Sequence, residues 1–127
     1  MFEKKIDFLS ETNFEFYSID IKTGIVNWIS EVNSNVAPIL IGNLIFTVSN
    51  DGYLHVIEKN NGNIIRITDL YKNYKEKKRA DVKPIGFVIG TRNLYLTNSD
   101  GKMNVIDLVT GASIYNIKYN FFSSNLI

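Results

Sequence analysis

The residues able to do chemistry are few. His55 is the single histidine and there is no cysteine, so thiolate metal sites, Cys nucleophiles and disulfide frameworks are excluded within these 127 residues. With no second His or Cys to partner it, His55 reads as a half-exposed strand residue beside Tyr53 and Val56 rather than a base. Asp20, Glu58 and Asp107 each precede a glycine by four residues. An acid in that position bonds local turn amides, and three acids in three turns cannot share one ion. Asp51 and Asp100 each stand before a glycine in a second kind of turn. No nucleophile elbow, phosphate-binding glycine loop or calcium-loop pattern is present. These residues predict no catalytic site, no metal site and no cofactor.

One segment concentrates charge. Residues 71–83 hold Lys72, Lys75, Lys77, Lys78, Arg79 and Lys83 against Glu76 and Asp81, a net +4 on a chain whose total is +1. A basic loop on a mildly acidic body suits an acidic partner or anionic headgroups. Lys75, Lys77, Lys78 and Arg79 are its candidate partner-binding residues, with Tyr71 and Tyr74 as aromatic contact area. The bland alternative is a solvated connector. The near-zero total charge argues against a nucleic-acid-binding domain.

A repeat positions all of these residues. Tyr17-Ser18-Ile19-Asp20-Ile21-Lys22-Thr23-Gly24 recurs as His55-Val56-Ile57-Glu58-Lys59-Asn60-Asn61-Gly62 and as Asn104-Val105-Ile106-Asp107-Leu108-Val109-Thr110-Gly111. Between the copies, Ile41-Gly42-Asn43-Leu44-Ile45-Phe46 leads to Asp51-Gly52, and Ile89-Gly90 followed by Asn93-Leu94-Tyr95-Leu96 leads to Asp100-Gly101. The acids are 38 and then 49 residues apart, the longer interval containing the basic insertion. A period of about 40–50 residues is that of four-stranded propeller blades.

Each unit reads as strand, glycine turn, strand, Asp-Gly turn, strand, glycine turn, strand. The strands are β-branched and aromatic. The Asp-Gly pairs predict type I′ hairpins with positive φ at both central residues. No segment has a convincing 3.6-residue apolar period, so no helix of length is expected.

The fold class predicted is all-β, a partial propeller of two to three antiparallel blades: an incomplete blade over 1–32, blades over 36–70 and 83–119, and the start of another over 121–127. In the incomplete blade the strands are expected at Lys5 to Ser10, Phe14 to Asp20 and Ile25 to Glu31. Closed propellers use about 4–8 blades. A fragment of a seven- or eight-bladed propeller, or half of an oligomeric ring, is therefore expected.

The segment Ile19-Asp20-Ile21-Lys22-Thr23-Gly24-Ile25-Val26-Asn27-Trp28 resembles the quinoprotein-like (PQQ-like) β-propeller repeat, with its Asp-x-x-Thr-Gly-x-x-x-Trp signature. The resemblance implies that Trp28 packs between adjacent blades and that Gly24, Gly62 and Gly111 shape the turns it packs against. Arg66 and Tyr115 stand at the Trp position of the other copies. Tyr115 offers a flat aromatic; a guanidinium can stack but does not fill a dry slot.

Within that superfamily the short connections and the Asn-Leu-Tyr-Leu type strands are most similar to the BamB family, propeller lipoproteins of outer-membrane protein assembly. This implies a non-catalytic scaffold in the periplasm. Its partner would be the barrel subunit BamA, and a lipid anchor outside this chain would attach it to the outer membrane. The alternative is part of a quinone-cofactor dehydrogenase. The stretch before Asn13 has no apolar core of signal-peptide length, and no apolar run approaches the roughly 20 residues of a membrane span.

Overall fold

In a computed structural model, residues 2–7 and 15–118 are described, the former as backbone only. They form three antiparallel sheets in chain order. The first holds β1 (Phe2–Asp7), β2 (Glu15–Asp20) and β3 (Val26–Ser30). The second holds β4 (Ile39–Ile41), β5 (Leu44–Val48), β6 (Tyr53–Glu58) and β7 (Ile64–Asp69). The third holds β8 (Pro84–Ile89), β9 (Asn93–Asn98), β10 (Lys102–Asp107) and β11 (Ser113–Lys118). Between the last two lies α1 (Glu76–Asp81). Each sheet is a meander whose strands pair in sequence order, the architecture of a partial β-propeller. The expected start of a further blade at 121–127 lies outside the described residues.

The repeat is visible in the register. Ser18, Val56 and Val105 pair with Trp28, Arg66 and Tyr115, and a β-bulge follows each pair. The extra residue is Asn27, Ile65 or Ile114. It bends the outer strand just before the docking position and so re-aims the side chains of Trp28 and Arg66.

The glycine turns after β2, β6 and β10 repeat as well. The amides of Gly24, Gly62 and Gly111 donate to the carbonyls of Asp20, Glu58 and Asp107, at 2.8, 2.9 and 2.7 Å. All three glycines take φ between +74° and +78°, where a side chain is strained.

The Asp-Gly hairpins differ from expectation. Gly52 and Gly101 have positive φ, but Asp51 and Asp100 do not, which excludes type I′. The Gly52 amide donates to the Ser49 carbonyl at 3.0 Å, and the Ser49 amide to the Tyr53 carbonyl at 2.8 Å. The connection is thus a three-residue loop, a type I turn followed by a left-handed glycine. In the first sheet β2 and β3 begin within one residue of the expected positions, whereas β1 lies earlier than expected, at Phe2–Asp7.

The core runs between sheets. One buried cluster joins Phe16, Trp28 and Val32 to Ile45 and Ile57 of the second sheet. The equivalent positions one repeat on are Leu54, Leu70, Leu94 and Ile106, all within the second cluster, with Arg66 where Trp28 stood. No helix among the described residues is long and apolar enough to cross a membrane.

Candidate functional site: two blade junctions and a helical clip

The first junction is closed by Trp28. Its indole Nε1–H donates to the Lys59 carbonyl at 2.8 Å. Its ring lies on Gly62, where an added Cβ would come within 2.6 Å of the indole. Phe16 packs against it at 5.9 Å between ring centroids, tilted by 40°. Trp28 thus spends its apolar face and its one donor on the next sheet, as an amphipathic aromatic does when buried.

Arg66 makes the same connection at the second junction. Its Nη1 donates to the Leu108 carbonyl at 2.8 Å, and a Cβ on Gly111 would meet Nη2 at 3.1 Å. Lys59 and Leu108 each follow the turn acid, so the two carbonyls are equivalent. The guanidinium replaces the hydrogen bond of the indole without its bulk. Gly24, the first of the three turn glycines, has nothing within 4 Å of a built Cβ among the described residues. The side chain of Tyr115 lies outside the described residues.

The turn acids are engaged locally. Asp20 Oδ1 accepts from the amides of Lys22 and Thr23, and Asp107 Oδ1 from those of Val109 and Thr110. The Asp107 carboxyl is held below the usual range, chiefly by the Thr110 amide and then by Arg92, whose Nε is 3.0 Å from Oδ2. Glu58 is one methylene longer and instead accepts from Asn61 Nδ2 at 2.7 Å. Among the described residues no group of three or more metal-ligating side chains comes together.

The insertion is a folded clip rather than an open loop. Its helix, six residues of EKKRAD, has no buried side chain. What holds it are residues on either side and one arginine. Tyr71 is 1% exposed, and its hydroxyl donates to Asn98 Oδ1 at 2.6 Å. Its ring covers Gly52 so closely that a Cβ there would clash with it. Asn104 Nδ2 donates to the Leu70 carbonyl at 3.0 Å. The Tyr74 hydroxyl donates to Asp100 Oδ2 at 3.1 Å, and Val82 is buried. Arg79 grips Asp69 with both terminal nitrogens, at 2.9 and 2.7 Å, and lies 4.9 Å over the Tyr53 ring. The Asp69 bond raises the Arg79 pKa.

Of the candidate binding residues, then, Arg79 is occupied within the chain. Tyr71 is core rather than contact surface. Lys78 lies 3.8 Å from Asp100, while Lys75 and Lys77 are exposed. The sequence did carry a sign of this clip: Asn98 and Asn104 are polar residues at inward strand positions, and buried amides require partners.

Near the other end of the Asp51 hairpin loop is a polar cavity of about 360 Å³ lined by Glu31, Asn33, Asn50, Asp51, His55 and Lys83, among others. Among the described residues, the buried His55 Nδ1 has no hydrogen-bond partner. Burial lowers the His55 pKa, opposed by the nearby Asp51 carboxylate.

Four-stranded meanders fastened by a side chain reaching across to a glycine turn define a β-propeller. Solved structures share the arrangement. BamB from Moraxella catarrhalis is 19% identical with TM-score 0.53, over 82% of this chain and 30% of that one. A europium-containing methanol dehydrogenase is 13% identical with TM-score 0.64, over 91% of this chain and 22% of that one. The quinohemoprotein alcohol dehydrogenase from Comamonas testosteroni is 14% identical with TM-score 0.63, over 80% and 18%. The likeness establishes the β-propeller fold, and the chain spans under a third of the length of each of these proteins. No protein-family model and no curated protein matches it.

Proposed function

We propose that the chain is part of a non-catalytic propeller scaffold that binds a protein partner through its helical clip. The observation that carries this reading is the clip itself. A connection between blades needs only a few residues, yet here a helix is pinned by Arg79 and two tyrosines so that Lys75 and Lys77 are exposed beside Lys78. Ordered charge on a rigid repeat is a binding surface for an acidic partner, because the ordering cost is met within the fold. In the BamB-like form of this proposal the partner is the barrel subunit BamA, at the periplasmic side of the outer membrane.

The test is association after Lys75→Glu with Lys77→Glu, which leaves the Lys78–Asp100 pair intact. Binding to BamA should fall several-fold, most at low salt, with stability changed by less than about 0.5 kcal/mol. Unchanged binding would remove the clip from the interface.

A second reading, part of a quinone-cofactor dehydrogenase, is supported by the propeller likeness to the two alcohol-oxidising enzymes. Saturable thermal stabilisation by pyrroloquinoline quinone with Ca²⁺ would favour it over the scaffold.

A further inference from the structure

The exchange of Trp28 for Arg66 leaves space. Between the second and third sheets is a cavity of about 320 Å³ lined by Leu44, Phe46, Leu54, Val56, Ile65, Leu108 and Arg66. At the first junction the corresponding positions of Leu54 and Arg66 are two rings, Phe16 and Trp28, in contact. At the second, a leucine and a planar guanidinium stand in their place. The hydrogen bond to the next sheet is kept, and the volume of the indole is not.

The lining has a definite chemistry. Six side chains are apolar, and one cation is set among them. Arg66 is half-buried and forms no ion pair among the described residues; the ion pairs there are Lys78–Asp100, Arg79–Asp69 and Arg92–Asp107. A guanidinium in apolar surroundings is costly to leave without a counter-charge and has five donors in a fixed fork. Nη1 is engaged by the Leu108 carbonyl, a neutral acceptor. A carboxylate supplies both the charge and a pair of acceptor oxygens.

We propose that this inter-blade cavity binds a small monocarboxylate with an apolar tail, the carboxylate on Arg66 and the tail against Leu44, Phe46, Leu54 and Val56. The size fits the lower end of small-ligand pockets, about 300–1,000 Å³. The proposal is independent of the clip and of the scaffold reading.

The probe is octanoate, with octanol as the uncharged control, titrated into the chain and followed by calorimetry or amide chemical shifts. Octanoate should saturate, with octanol at least tenfold weaker. Arg66→Trp restores the residue of the first junction. It should raise the melting temperature and abolish octanoate binding. Leu54→Phe reproduces the Phe16 position, narrows the cavity without touching Arg66, and should weaken octanoate by tenfold or more. The proposal is overturned if octanoate does not saturate, if octanol binds as tightly, or if either variant binds octanoate as the parent does.

Discussion

Trp28 at the first junction and Arg66 at the second stand at the same place in the repeat and reach equivalent carbonyls, at the same 2.8 Å. What surrounds them differs. Around Trp28, aromatic and aliphatic side chains from two sheets close a dry cluster. Around Arg66 there is a cavity, and the fastening is reinforced at the opposite end of the blade by Tyr71, Asn98 and Asn104. The first junction is held at the glycine-turn end by shape. The second is held there by the Arg66 hydrogen bond beside a cavity, with Leu54, Leu70, Leu94 and Ile106 packed across the same junction and a buried hydrogen-bond network and the clip at the Asp-Gly end. The comparison teaches that the repeat conserves a geometry, a donor aimed at a carbonyl over a glycine, rather than a residue type. Hydrophobic packing lost at one end of a junction can be offset at the other.

The strongest way to break the comparison is at Trp28. Trp28→Ala should cost about 3–5 kcal/mol, because it opens a cavity next to Phe16, Ile45 and Ile57 and frees the Lys59 carbonyl. Arg66→Ala removes a thinner group already beside a cavity and should cost about 1–2 kcal/mol. Chemical denaturation of the two variants checks the order; equal losses would mean that the junctions are not specialised. Tyr71→Phe tests the second fastening. It deletes one buried hydroxyl bonded to Asn98 while keeping the ring over Gly52, and should cost about 1–3 kcal/mol since Asn98 Oδ1 is left buried. The same measurement serves, and a loss below about 0.5 kcal/mol would show the network to be replaceable by water.

How much of this was legible in the sequence follows from how local the cause is. The glycine turns could be read because positive φ is a property of one residue, and Gly24, Gly62 and Gly111 all adopt it. The hairpin type was misread because Asp-Gly suits both a two-residue I′ loop and a three-residue loop. Only the Ser49–Tyr53 pairing decides. The helix at 76–81 has no apolar stripe, so periodicity had nothing to register. Tyr71 reads as aromatic contact area in the sequence because its partner Asn98 is 27 residues away, and its burial depends on a fold-back that charge composition hides. At Arg66 the unfilled slot could be read from residue type, and the hydrogen bond to the Leu108 carbonyl could not, since its acceptor is 42 residues away. A guanidinium does not fill a dry slot, and the structure does not ask it to; it keeps the hydrogen bond and leaves the slot open.

The smallest expected effect concerns the polar cavity beside the Asp51 hairpin, where the insertion's last lysine, Lys83, meets the connector between the first two sheets. His55 is partly desolvated there, and its folded-state pKa is lowered from 6.5 despite the Asp51 carboxylate. A histidine whose folded pKa lies below its unfolded value binds protons more readily when unfolded. Stability is therefore complete above pH 6.5, declines as pH falls through the unfolded value, and levels off once pH is below the folded value. Glu31, Asp51 and Lys83 all line the same cavity, so the test must isolate the imidazole. His55→Gln keeps a polar side chain without titrating in this range. The difference in melting temperature between the parent chain and His55→Gln, followed from pH 8 to pH 5, should be flat at the alkaline end. It should shift against the parent below about pH 6.5, the ordinary histidine value. A difference that stays constant across the range would show that His55 is as well solvated in the fold as out of it. The cavity beside the first junction would then be an open groove.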